Sequence, residues 1–125
     1  MMNSMIAVDT NILIYSADSD ERVKGPRAVA MLDELAEGTT QPVLLWQVRC
    51  EFTAFIAKAR AKRGLAKAGD ASGFEYVRAI RDRFRLVLPG PAVADLAVDI
   101  HLKDQVSIWD SLLLAACVDA GVARR

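Results

Sequence analysis

The chain has 125 residues, 53% of them hydrophobic, and its sixteen basic residues cancel its sixteen acidic ones. That length suits one domain, and that apolar content excludes an intrinsically disordered chain. A balanced charge points to no nucleic-acid, membrane or acidic partner by itself. Cys50 and Cys117 lack CxxC spacing, which argues against a disulfide framework or a zinc site and fits reduced thiols in a cytosol. No apolar segment is long enough to span a bilayer, and the start lacks the basic and apolar regions of a signal peptide, so the expected location is cytoplasmic.

Met5 to Val8 is a short apolar run, the signature of a strand covered on both faces, as in a parallel sheet. It stops at Asp9. Thr10 then offers a hydroxyl N-cap for a short helix carrying Ile12, Leu13 and Tyr15. Asp18 to Lys24 reads as a loop. Pro26 is placed at a first helical position, Ala28, Met31, Leu32 and Leu35 make one apolar face, and Gly38 stops the helix. Val43 to Leu45 reads as a second strand. A long helix follows from Trp46 to Arg63, with Val48, Phe52, Phe55, Ile56 and Ala59 at three- and four-residue steps.

Gly64 to Gly73 reads as a linker. Phe74, Val77, Ile80 and Phe84 mark another amphipathic helix, and Arg85 to Leu88 a third strand. Pro91 is placed to open the next helix, which ends near Lys103. The helix after Ser107 is apolar nearly all round, so it is expected to be buried, with Gly121 as its C′ residue. Val122-Ala123 looks like the first step of a fourth strand. The alternation predicts an α/β domain, a central parallel sheet flanked by helices over residues 1–125, with its last strand incomplete.

Three acids border strongly apolar segments: Asp9 ends the first strand, Glu51 lies beside the inner stripe of the long helix, and Asp110 opens the most apolar helix. Acids beside a core are costly unless paired, protonated or bound to a cation. Carboxylates that converge repel one another, and a divalent cation relieves that repulsion. Mg²⁺ takes carboxylates and waters, which suits an all-oxygen set. Each acid also has a purely structural reading. Asp9 could cap a turn, Glu51 could answer the helix dipole, and Ser107-x-x-Asp110 resembles a capping box.

Val8-Asp9-Thr10-Asn11-Ile12-Leu13, Glu51-Phe52 in a long helix, and Trp109-Asp110-Ser111-Leu112-Leu113-Leu114-Ala115-Ala116 together resemble the PIN-domain family, most closely the VapC-type toxins of bacterial toxin–antitoxin pairs. The resemblance implies a ribonuclease dependent on Mg²⁺ or Mn²⁺, with Asp9, Glu51 and Asp110 as catalytic, metal-holding acids. Asn11 and Thr10 would support them. It also implies an RNA substrate, a cognate antitoxin and a homodimer, with Ile12, Leu13, Met31 and Leu35 as candidates for a contact patch.

The family usually places a further acid after the strand that follows the Asp110 helix, and this sequence ends at Arg125 before that position, so a truncation is expected. Asp119 cannot replace that acid: nine residues along a helix is half a turn out of phase and roughly 13 Å away. Lys58, Arg60, Lys62 and Arg63, in an acid-free run that continues to Lys67, could follow RNA phosphates or simply complement a helix C-terminus. His101 reads as a helix-end residue. A haloacid-dehalogenase-like phosphohydrolase needs an acid where Asn11 stands, and a receiver domain needs an acid pair that is lacking. The remaining alternative is a catalytically decayed remnant that only binds an antitoxin or dimerises.

Overall fold

The computed structural model describes residues 5–18, 21–63 and 73–124. Ten elements follow in order: β1 (Met5–Ala7), α1 (Thr10–Ala17), α2 (Lys24–Glu37), β2 (Gln41–Leu45), α3 (Trp46–Lys62), α4 (Phe74–Arg83), β3 (Arg85–Val87), α5 (Val93–Asp104), α6 (Ile108–Ala120) and β4 (Ala123–Arg124). The strands form one sheet of order β3-β2-β1-β4, and every neighbouring pair is parallel. This is the α/β arrangement expected from the alternation. Nearly all of the expected Gly64–Gly73 linker, and Lys67 with it, lies outside the described residues.

A parallel sheet between helices must be apolar on both faces. Ala7, Val8, Val43, Leu44 and Leu45 are accordingly all buried. Phe52 of α3 is fully buried and meets the ring of Tyr76 in α4 edge-on, with centroids 6.1 Å apart. Tyr76 keeps its hydroxyl partnered by sharing a 2.7 Å hydrogen bond with Ser16 of α1. Three helices are thereby joined through one aromatic pair and its polar handle.

The helix starts differ from the expectations by small shifts. Asp9, not Thr10, is the N-cap residue of α1, with extended backbone before the first turn. Pro26 is the third residue of α2, still within the turn whose N–H groups lack intrahelical partners. Pro91 stands two residues before α5. Gly121 does follow α6 with φ +68°, a left-handed turn in which glycine is unstrained.

The last helix departs further from expectation. Ser111, Leu113, Ala115 and Cys117 are buried, but Trp109 and Val118 stand in solvent. α6 packs on α5 along one side and on β2 and β4 along another, and a third face stays open. Ala97 and Ala115, both fully buried at the α5–α6 contact, have no side chain beyond Cβ to hold the two helices apart. The loop before α5 is fixed at Gly90, whose N–H donates to Asp119 Oδ2 at 3.1 Å.

The patch residues anticipated from sequence are part of the core. Leu13 and Leu35 are buried, and Ile12 and Met31 pack against them. The large apolar side chains left in solvent include Val98 and Leu102 on α5 and Val118 on α6.

The fold predicts two contrasting substitutions. Phe52→Ala should lower the denaturant midpoint by an amount equal to about 3–5 kcal/mol. Leu102→Ala, at a side chain 72% exposed, should stay within about 0.5 kcal/mol of the parent. Chemical denaturation of both variants checks the pair.

Candidate active site

The register of the first two strands fixes the edge on which the acids stand. Ala7 is level with Val43, and the Val8 N–H donates to the Val43 carbonyl at 3.0 Å. Asp9 therefore leaves β1 beside the place where β2 turns into α3 at Trp46. The start of α6 is held to the same place: Gln47 Nε2 donates to the Trp109 carbonyl at 3.2 Å. Asp9 and Asp110 thus stand at the starts of α1 and α6, and Glu51 one turn into α3, toward the carboxyl edge of the sheet, where open α/β sheets bind ligands.

Each acid can be set against its structural reading. Asp9 occupies the N-cap position of α1, yet its side chain makes no cap hydrogen bond. Glu51 lies in the second turn of α3, one turn beyond Gln47, and the first turn of α3 contains no acid. Asp110 lies in the first turn of α6, and half of the capping box forms there: Ser107 Oγ accepts from the Asp110 N–H at 3.1 Å. That bond uses the Asp110 backbone and leaves its carboxylate clear. Glu51 and Asp110 are exposed and Asp9 is half-buried, so the cost of burial applies only in part to Asp9.

The donors on this edge are hard oxygens, which suit Mg²⁺ or Mn²⁺ in kind. Among the described residues, however, no three His, Cys, Asp or Glu side chains form a group that could hold a metal ion. The carboxylates share an edge without closing into a cage.

Thr10 is buried and Asn11 is exposed, each beside Asp9 in the first turn of α1. His101 lies in the last turn of α5, where Nδ1 is 2.6 Å from the Val106 carbonyl. That contact fixes the α5–α6 turn. Asp119 serves at the other end of α6 from Asp110, as the acceptor for Gly90.

The basic run divides by burial. Lys58, Lys62 and Arg63 are exposed. Arg60 is buried at 7% exposure, with its guanidinium 4.8 Å from the centre of the Phe74 ring. This is a packing contact between α3 and α4. Lys58 and Lys62 lie roughly 18–24 Å along α3 from its first residue.

Two residues at the edge escaped the sequence reading. Trp46 and Trp109, each in the first turn of its helix, are 47% and 69% exposed. The signal was present: both tryptophans of the chain stand at helix starts, one of them directly before Asp110. Trp46 also lines an open pocket of about 130 Å³ together with Leu45, Val87, Leu88, Val93 and Leu112.

A family model described as the PIN domain matches residues 6–124, nearly the whole chain. None of the curated proteins matches it.

The cap at Ser107 generates a prediction. Ser107→Ala should cost about 0.5–2 kcal/mol of stability by leaving the Asp110 N–H without its acceptor. Thermal unfolding of the variant checks this.

Proposed function

The chain belongs to the PIN domain family, whose members are generally nucleases, and we propose that it is a metal-dependent endoribonuclease of the VapC toxin type. The observation that carries this reading is the edge itself. Three helices begin there, and among the described residues none of the carboxylates of Asp9, Glu51 and Asp110, carried in their first two turns or cap, makes an ion pair or hydrogen bond. Acids with only structural roles would be expected to cap a helix through the side chain or to pair with a cation, and among the described residues these side chains do neither.

In this reading Asp9, Glu51 and Asp110 hold Mg²⁺ or Mn²⁺. The bound cation supplies a Lewis acid and lowers the pKa of an attacking water. Among the described residues the three carboxylates do not form a closed group, so Asp9, Glu51 and Asp110 would hold the cation only with water or phosphate oxygens beside them. Asn11 and Thr10 steady the Asp9 end of the edge. The starts of α1 and α3 lack side-chain caps, and the backbone N–H groups of such a first turn suit an anionic phosphate. Lys58, Lys62 and Arg63 meet phosphates farther along the strand, and Arg60 holds their helix end in place against Phe74. The exposed Val98, Leu102 and Val118 support contact with a protein partner, a cognate antitoxin or a second copy of the chain. No helix among the described residues is long and apolar enough to cross a membrane, which is consistent with a cytoplasmic toxin.

A second reading is favoured by the absence of a closed acidic group among the described residues. In it the chain is a catalytically decayed PIN domain that acts only by binding an antitoxin or by dimerising.

Cleavage of RNA by purified protein separates the two. The nuclease reading expects cleavage that needs Mn²⁺ or Mg²⁺ and disappears in Asp9→Asn and Asp110→Asn. A cation at one hundred times its dissociation constant should stabilise the parent by about 2.7 kcal/mol, and Asp9→Asn should lose most of that gain. Equal metal-induced shifts in parent and Asp9→Asn, with no cleavage by either, leave the binding-only reading. For the basic end of α3, losing one phosphate contact through Lys62→Ala should flatten the salt dependence of single-strand binding by about 0.7 in log–log slope.

A further inference from the structure

Trp46 and Trp109 leave much of their indole surface in solvent at the starts of α3 and α6. A large aromatic side chain in solvent forgoes a substantial burial gain, and here two do so on adjoining helix starts. The Gln47 side chain follows Trp46 directly and reaches the Trp109 carbonyl at 3.2 Å. The two exposed indoles, 47% and 69% accessible, are therefore carried on backbone that one side chain spans. Asp110 comes next after Trp109, and Trp46 leads into the helix of Glu51.

Beside Trp46 lies the pocket of about 130 Å³, lined mostly by apolar side chains with Gln47 among them. An apolar cavity of about 150 Å³ accommodates benzene, so this one suits a single planar ring. Leu88, 64% exposed, extends the apolar surface at its mouth. A flat, mainly apolar body with a polar edge matches an aromatic wall, an apolar floor and one amide. A nucleobase has that form, and it lies one sugar away from the phosphate that the neighbouring edge is built to meet.

We infer that Trp46 and Trp109, with the cavity between the end of β2 and α6, form a stacking site for an unpaired nucleobase next to the acidic edge. The inference rests on the nuclease reading and adds to it a contact with a base beside the contact with a phosphate. A base inside a duplex has both faces covered by its neighbours, whereas a splayed or single-stranded base offers a face to an aromatic side chain. Stacking on Trp46 or Trp109 would set which nucleotide is positioned beside the carboxylates.

The chain contains two tryptophans, so intrinsic fluorescence reports on this site directly. Binding of a cleavage-resistant single-stranded oligonucleotide is compared with that of its abasic counterpart and of a duplex, at one fixed salt concentration. Fluorescence quenching and anisotropy give the two readouts. The proteins are the parent, Trp46→Ala, Trp109→Ala and the two Phe variants, each shown to be folded by its circular dichroism.

The site predicts quenching by the base-containing single strand and little by the other two ligands. Either Ala variant should bind that strand about five- to a hundredfold more weakly, and Phe should restore most of the loss. If the abasic strand binds as tightly as the intact one and the Ala variants match the parent, the base site is overturned while nucleic-acid binding stands. If no polynucleotide binds in any form, the nuclease reading fails with it. If instead the parent self-associates, Trp109→Ala abolishes that association and RNA affinity is unchanged, the indoles belong to a protein contact and the inference is overturned.

Discussion

The pairing of β1 with β2 is the constraint on which the rest depends. β1 has three residues and is hydrogen-bonded to strands on both sides. Its register with β2 sets Asp9 beside the start of α3, and no other contact could do so as firmly. A slip of one residue would turn Ala7 and Val8 to the wrong faces of a sheet covered on both sides. The burial of Ala7, Val8, Val43 and Leu44 thus holds the acidic edge in place. Core packing and the position of the site are one problem here, solved by the same few side chains.

From that register the other parts follow with little freedom. α3 begins at the residue after β2, so Gln47 and Glu51 are placed as soon as the strand is. The Gln47 bond to the Trp109 carbonyl brings in α6, and the Ser107 cap fixes where that helix begins. The resulting edge carries negative carboxylates and, beside them, helix starts whose dipoles favour negative charge. Exposure moderates the repulsion among the acids, because water screens charges that a core would not.

Much of this was legible in the chain. Short apolar runs marked the strands at Met5–Val8 and Val43–Leu45, and three- to four-residue apolar steps marked α2, α3 and α4. Gly121 and Ser107 announced the ends of α6 by chemistry that works within a few residues. What escaped reading were the choices made by tertiary contact. Thr10 looked like the cap, yet the extended backbone ends one residue earlier, at Asp9, and Thr10 is already the first helical residue. Leu13 and Leu35 looked available for a partner because an amphipathic stripe does not say what covers it, and in the fold the core does. Arg60 looked like its basic neighbours until Phe74, fourteen residues on, supplied a ring for its guanidinium. The apolar sequence of α6 hid an outer face, since α5 and the sheet cover only part of its circumference.

The contact between Gly90 and Asp119 bears on how this chain can vary. A Cβ at position 90 would stand 2.9 Å from Asp119 Oδ2, while the Gly90 N–H needs that same oxygen. The two positions are therefore epistatic. A side chain at 90 makes the exposed Asp119 carboxylate swing aside, at the expense of its bond to the backbone at 90, and a shorter residue at 119 leaves that backbone donor in need of water. Neighbours coupled in this way do not add independently. Divergent versions of this fold should change the turn before α5 and the last turn of α6 together, by compensated steps, while the solvent-facing residues on either side drift singly.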